Sequence, residues 1–445
     1  MAATRIPYTP TPAWTTIHPR SLLLIDQCPS VDTPPLPSPP RQDTFHPQFA
    51  RSTHIIPAAF PRVVPDIPLP HVSDYSARDS ERKSRTEALA REVIQRQATF
   101  TTGKLGGGYG TKVLWNCLNR YVRTSIAPVR DLAATGVTLL LAHANGFPKE
   151  IWETMLRSLL DSPGGTLVDE IWAFESVQHG DAALINANSL SGIFDWMDNA
   201  RDIANFLLNY LPEQVSPVPL PTRLERLPQP TSNVRKEQGY HTRKVVVIAH
   251  SFGGCSAVRA ALDFPKLFSS IILLDPVITQ KETYQSDFVF GKVLGAFLRR
   301  QHWPSREEAL RLLEKSPFFA AWHPDVLRLY VDHGLTNDPD NGGVKLKMPA
   351  LHEGLVFANV RLPYETWELL EKLDEGITLR WIMPPEWFVN EEATRVTVWR
   401  RPTNASNVVL HSTGHLMVQE APLQCAQDVS DFILRKYGRQ FKTLL

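Results

Sequence analysis

Lys244-Val-Val-Val-Ile-Ala-His-Ser-Phe-Gly-Gly-Cys-Ser-Ala-Val-Arg-Ala-Ala-Leu262 is the stretch around which the rest of this chain must be arranged. Four consecutive β-branched residues, Val245 to Ile248, are too few for a helix core and suit a strand buried on both faces. A sharp turn follows, and Gly254 to Ala261 is rich enough in small residues to pack a helix closely on a sheet. Ala249-His250-Ser251-Phe252-Gly253 departs only at its first position from Gly-x-Ser-x-Gly, the turn that sets a serine between a strand and a helix. A serine held there projects its Oγ above the sheet, where the helix N-terminus and the N–H of Phe252 face developing negative charge. Its neighbours must therefore be small. Gly253 meets that demand, and Ala249 adds one methyl. Read without chemistry, the same stretch is a buried strand and helix whose serine is merely a cap, so the partners of Ser251 decide between the readings.

The 445 residues suffice for one enlarged α/β domain with an inserted cap. A net charge of +1, from 47 basic and 46 acidic residues, gives no reason to expect nucleic acid or an anionic membrane as partner, and small neutral substrates fit better. Cys28, Cys117, Cys255 and Cys425 lack the paired spacing of a zinc site or a disulfide framework, which points to a reducing compartment. No apolar run approaches the ~18 residues of a membrane span, and Ser21 to Ile25 is too short for a signal-peptide core. These features predict a soluble, intracellular protein with no transmembrane segment.

Sixteen of the 37 prolines fall in residues 1–70, so residues 1–50 are expected to be disordered. Thr53 to Pro57 and Lys112 to Tyr121 read as strands, and Ser80 to Gln97 as a helix. Gly106-Gly107-Gly108 has the wrong surroundings for a phosphate loop and reads as a turn. From Val137 the pattern is regular: strands at Val137–Ala142, Ile171–Phe174, Val245–Ile248, Ser270–Leu274, Ile377–Ile382 and Val408–Leu410 alternate with helical stripes. Leu211 to Lys236, with six prolines, reads as a surface insertion. Roughly a hundred residues separate the strands at 270 and 377, and Ser305-Arg-Glu-Glu308 opens a helix among them as a capping box. The expected architecture is α/β: a doubly wound, mostly parallel sheet formed by residues 51–279 and 351–445, with a helical cap at 280–350 inserted between two late strands. Sites in such sheets lie at the carboxyl ends of the strands.

Candidate partners of Ser251 stand at those ends. His415 lies on the loop after the last strand, where it can reach Ser251 as general base, and Gly414 lets that loop approach closely. Asp275 ends the Ile271–Leu274 strand directly and is favoured as the orienting acid. Glu386, reached through Pro384-Pro385, is the alternative acid. A second oxyanion donor besides the N–H of Phe252 is expected from Phe147, in Asn145-Gly146-Phe147 after the first strong strand. His143 is expected to be structural, and the Gln178-His179-Gly180-Asp181 turn to be a hydrogen-bonded loop near the pocket. Phe288, Phe290, Phe297, Trp303, Phe318, Phe319 and Trp322 supply aromatic surface for an apolar pocket in the cap.

The strings Ala-His-Ala-Asn-Gly-Phe-Pro-Lys-Glu and Ala-His-Ser-Phe-Gly-Gly resemble the α/β-hydrolase fold superfamily, within it a fungal group that includes a peroxisomal lipase and hydrolases of host-selective toxin pathways. The resemblance, from about Thr53 to Arg435, implies a serine hydrolase of the esterase or lipase kind. Ser251 would be the nucleophile, His415 the base and Asp275 the acid, with neither metal nor cofactor. Its substrate would be an ester, thioester or lactone of an apolar small molecule or lipid. The peroxisomal relatives end in a Ser-Lys-Leu type tripeptide and this chain ends Thr443-Leu444-Leu445, which favours the cytoplasm over the peroxisome. The competing functional class is a ligand-binding protein that kept the fold without turnover.

Overall fold

A computed structural model describes residues 4–70, 79–125, 136–283, 286–386 and 390–438. The strands in chain order are β1 (Phe49–Pro57), β2 (Trp115–Arg123), β3 (Val137–Ala142), β4 (Val168–Glu175), β5 (Lys244–His250), β6 (Ser270–Leu274), β7 (His302–Trp303), β8 (Leu335–Asn337), β9 (Val344–Leu346), β10 (Thr378–Met383) and β11 (Ala405–Val409). Eight of them form one sheet in the order β1-β2-β4-β3-β5-β6-β10-β11. From β4 to β11 the pairing is parallel, while β2 runs antiparallel to both β1 and β4.

The period-2 alternation of β5 explains why it is central. Val245, Val247 and Ala249 enter the core on one face, with Leu140, Ile271, Leu273, Trp381 and the helix Phe252–Asp263. Val246 and Ile248 enter the core on the other, with Leu139, Leu141, Ile272 and Ile382, under the helices Glu153–Leu160 and Pro422–Tyr437. Each fully buried branched side chain contributes about 1.5–3 kcal/mol relative to exposure, which a strand can collect on both faces only with helices on each side.

Register brings the strand ends together. Ala142 pairs with Ala249, His250 with Leu274, Leu274 with Ile382, and Met383 with Val409. The loops beginning at His143, Ser251, Asp275, Pro384 and Leu410 therefore leave the sheet along one edge.

Between β6 and β10 stand the helices Ser286–Leu298, Arg306–Glu314, Pro324–Gly334, Ala350–Ala358 and Arg361–Leu369, with a small antiparallel sheet of order β7-β9-β8. Ser305 caps the helix Arg306–Glu314, its Oγ accepting from the N–H of Glu308 at 3.2 Å, while the Glu308 carboxylate turns to Arg311 instead of completing the box. The expected return to the core at residue 351 falls inside the helix Ala350–Ala358, which packs on Ser286–Leu298 and is tied to the core by Trp196, whose Nε1 donates to the carbonyl of Val356 at 2.8 Å. The Pro-rich 211–236 segment also differs from a plain surface insertion: its end forms the helix Gln229–Gln238, with Pro230 in the first turn, where its missing N–H costs nothing.

The N-terminal segment departs most from expectation. Rather than disordered chain, residues 4–50 are extended backbone laid on the core, with Ile6 buried and its N–H donated to Asn407 Oδ1 at 2.7 Å. Arg20 bridges Asp195 at 2.6 Å and Glu365 at 2.7 Å, and Arg41 reaches Glu153 at 2.5 Å. Prolines prevent a ladder there, but side chains of the core take the few polar groups that remain. No helix among the described residues is long and apolar enough to cross a membrane.

Candidate active site

Ser251 caps the helix Phe252–Asp263 with φ 54° and ψ −117°, a conformation that L-residues adopt only when their surroundings enforce it. Here they do. Its N–H donates to the carbonyl of Leu274 at 3.1 Å, and its own carbonyl accepts from Cys255 at 3.2 Å and Val277 at 3.1 Å. The helix that follows lies so close to the end of β3 that a Cβ on Gly253 would stand 2.5 Å from the carbonyl oxygen of Ala142 and 2.6 Å from that of His143. Glycine is needed there for space rather than for φ. Ala249 tolerates its methyl because that methyl is part of the core between β5 and the helix.

Asp275 leaves β6 with φ 37°, its N–H donated across the sheet to Ile382 at 3.0 Å. Its Oδ2 lies 2.6 Å from Nδ1 of His415, whose Nε2 lies 3.0 Å from Oγ of Ser251. The loop carrying His415 is tied down twice: Gly414 N–H donates to Glu420 Oε2 at 2.5 Å, and Nε2–H of His250 donates to the carbonyl of His415 at 2.8 Å. Glu386 is exposed beyond β10, and Asp275 holds the position on Nδ1 that either acid was expected to take.

Burial sets the protonation of this group. It drives the His415 imidazole well below its ordinary range, with the Lys292 ammonium acting in the same direction. It pushes the Asp275 carboxyl up, to about 7, against a smaller opposing effect from His250. Both shifts originate in the loss of solvent, in a pair that shares a 2.6 Å hydrogen bond. The direction at His415 governs the chemistry, since it keeps the imidazole neutral at pH 7 with Nε2 able to accept a proton.

Phe252 follows Ser251 at the start of the helix, and Phe147 lies in the loop after β3. As the first residue of its helix, Phe252 has no carbonyl within that helix for its N–H to reach. Phe147 follows Gly146, whose φ of +92° turns the loop after β3. Asn145 anchors that loop, with Nδ2 donating to the carbonyl of Glu353 at 3.1 Å and Oδ1 3.1 Å from Nε2 of His179. The His179 ring stacks on Phe252 at 5.9 Å. His143 is buried and neutral, pushed down to about 4 by burial, and it accepts from the N–H of Ser176 at 3.1 Å. Of the expected cap aromatics, Trp322 lies 5.5 Å from the Phe147 ring and Phe319 stacks on Tyr330, whereas Phe297 packs against Gly354 and Phe318 is exposed.

A strand-loop serine, a histidine after the last strand and an aspartate after the intervening strand, joined by two short hydrogen bonds, leave one comparison to make. The model of the alpha/beta hydrolase family matches residues 139–428. The chain belongs to the alpha/beta hydrolase family. Its sequence is 25% identical over 249 residues to the peroxisomal membrane protein LPX1 of Saccharomyces cerevisiae, covering 52% of this chain and 58% of that one. It is 28% identical over 259 residues to the type I acyl-CoA thioesterase mpaH of Penicillium brevicompactum, covering 53% and 52%. The chain thus spans about half the length of these curated relatives. The solved structure of the yeast peroxisomal alpha-beta-hydrolase Lpx1 superposes with a TM-score of 0.60 at 19% identity, over 88% of this chain and 91% of that one, a likeness of fold.

Two parts of the site in this alpha/beta hydrolase are not evident from motifs. His250, inside the elbow, serves the histidine loop; its neutral state, pushed down to about 3 by burial, makes it a donor to a carbonyl rather than a second base. Lys292 acts on His415 from the helix Ser286–Leu298, in the inserted block and outside every motif of the core. Only the position of His250 beside the serine was available as a signal.

Proposed function

We propose that this alpha/beta hydrolase cleaves an ester or thioester of an apolar acid through an acyl-enzyme on Ser251. The observation that carries the reading is the hydrogen-bond line from Ser251 Oγ to His415 Nε2 at 3.0 Å and from His415 Nδ1 to Asp275 Oδ2 at 2.6 Å. In the first half-reaction the Oγ proton passes to Nε2 as Oγ bonds to the substrate carbonyl carbon. The resulting oxyanion faces the N–H groups of Phe252 and Phe147, fixed donors that need no reorganisation. When the intermediate collapses, the bond to the leaving group breaks and the imidazolium returns its proton to the departing alcohol or thiol. Water, deprotonated by His415, then attacks the acyl carbon; the bond to Oγ breaks, the imidazolium returns its proton to Oγ, and the acid is released. Asp275 holds the imidazole in the tautomer with hydrogen on Nδ1 and stabilises the imidazolium.

Likeness to a protein named as an acyl-CoA thioesterase makes a thioester the finer reading. The inserted block between β6 and β10 acts as the lid that selects the acyl group, as the aromatic contact of Trp322 with Phe147 supports. A panel of p-nitrophenyl esters and acyl-CoA thioesters on the purified protein tests the proposal. Turnover that favours thioesters of medium-chain or aromatic acids is the expected result; absence of turnover on every carbonyl substrate by a folded protein contradicts it.

A further inference from the structure

The inserted block contains a cavity of about 270 Å³ between the end of the helix Ser286–Leu298, β7 and the helices Arg306–Glu314 and Pro324–Gly334. Its lining combines two guanidinium groups, Arg299 and Arg300, with the rings of Trp303, Phe319 and Tyr330 and the hydroxyl of Ser316. Arg299 is held by Glu353, 3.2 Å from Nη1 to Oε1, yet its Nε–H is buried without a hydrogen-bond partner. Arg300 is exposed at the mouth. The neighbouring carboxylate Glu308 is engaged by Arg311 at 2.7 Å. A bare hydrocarbon would leave the Arg299 donor desolvated at a cost, whereas a planar ring carrying phosphate would stack on the aromatic side chains and satisfy the arginines.

The cavity lining touches the loop that carries Phe147. Tyr330 stacks on Phe319 at 6.0 Å and meets the Phe147 ring at 6.1 Å. Glu353, the partner of Arg299, accepts from Asn145 through its carbonyl, and its carboxylate abuts Gly146, where a Cβ would stand 3.2 Å from Oε1. A ligand with its charged aromatic end in this cavity and a flexible arm passing Phe147 would present its other end to Ser251.

We infer that this cavity binds the phosphorylated adenine nucleotide of a CoA thioester whose acyl carbonyl lies at Ser251. The inference rests on the thioester reading and adds the part of the substrate that is recognised away from the bond cleaved.

Two measurements test it. Adenosine 3′,5′-bisphosphate is titrated into the full-length protein by calorimetry, with benzoate as a second probe. The ratio of kcat/KM for a CoA thioester to that for the pantetheine thioester of the same acid is measured in the wild type and in Arg300→Glu, an exposed position whose change leaves the Arg299–Glu353 pair in place. The bisphosphate is expected to bind, to bind about tenfold or more weakly in Arg300→Glu, and the kcat/KM ratio to fall by a similar factor, as removal of a charge-assisted contact requires. Bisphosphate binding without turnover of any thioester supports the cavity and counts against the thioester reading. Turnover of both thioesters at one kcat/KM with no bisphosphate binding overturns the cavity and leaves that reading standing. Binding that Arg300→Glu does not weaken, or saturable binding of benzoate alone, also overturns it.

Discussion

Oγ of Ser251 lies 3.0 Å from Nε2 of His415, although 164 positions separate them in the chain. Parallel register is what closes that distance. β5 and β11 end on the same edge of the sheet because β6 and β10 between them are paired without offset at their carboxyl ends, His250 to Leu274 to Ile382.

The acid assignment gives the sharpest kinetic contrast. Asp275→Asn should lower kcat by several orders of magnitude, about 10⁴ by analogy with the serine protease template, because the amide favours the wrong imidazole tautomer. Glu386→Gln, at an exposed position, should stay within a few-fold of wild type. Steady-state kinetics on one activated ester checks both.

The pH profile follows from the direction of the His415 shift. Only the neutral imidazole accepts the Oγ proton, so kcat/KM should hold at pH 7 and fall on the acid side, below the ordinary histidine range. Lys292 contributes to that depression, and losing its charge makes the imidazolium easier to form. Lys292→Met should therefore move the acid limb to higher pH; a limb that stays in place or moves down contradicts the stated electrostatics.

Two glycines should respond in opposite directions to alanine. At Gly253 the added Cβ meets backbone oxygens at 2.5 and 2.6 Å, so Gly253→Ala should cost about 1–3 kcal/mol, the range for overpacking, and displace Ser251. At Gly291, inside the helix Ser286–Leu298, the Cβ meets nothing within 4 Å. Gly291→Ala should stabilise by about 0.5–1 kcal/mol. Urea unfolding curves measure both.

The N-terminal segment should matter to stability. Arg20 is the link between Asp195 and Glu365, carboxylates whose side chains are 1% and 0% exposed. Arg20→Ala leaves Asp195 buried without this cation, while Arg361 still pairs with Glu365 at 2.8 Å. The expected loss is up to about 3 kcal/mol, at the low end for breaking a buried ion pair. An unchanged unfolding midpoint would mean that the segment does not contribute to the fold in solution.

Much of the site was legible because its signals are local. The β-branched run, the serine and the small-residue helix are contiguous, Asp275 directly follows a strand, and His415 lies on the loop after the last one, so chain order alone puts them on one edge. The N-terminal segment was not legible, because proline content reports the absence of a ladder and is silent about docking: what fixes Ile6 is Asn407, and what fixes Arg20 is Asp195 and Glu365. The end of the inserted block is hard to read for a related reason. Ala350–Ala358 is apolar on most of its surface, and a sequence pattern cannot say whether the partner is the sheet or, as here, the helix Ser286–Leu298. His250 and Lys292 escaped because each acts through a contact made across the fold, to the carbonyl of one residue and to the field at another.

The claim at the centre is that the acyl group passes through Ser251. Intact-protein and peptide mass spectrometry after brief mixing with an acyl-CoA thioester or a fluorophosphonate measures it directly. The expected result is one adduct per chain, on the peptide that contains Ser251, and none in Ser251→Ala. Substrate turnover by Ser251→Ala at the wild-type rate, or an adduct confined to another residue of the folded protein, would contradict it.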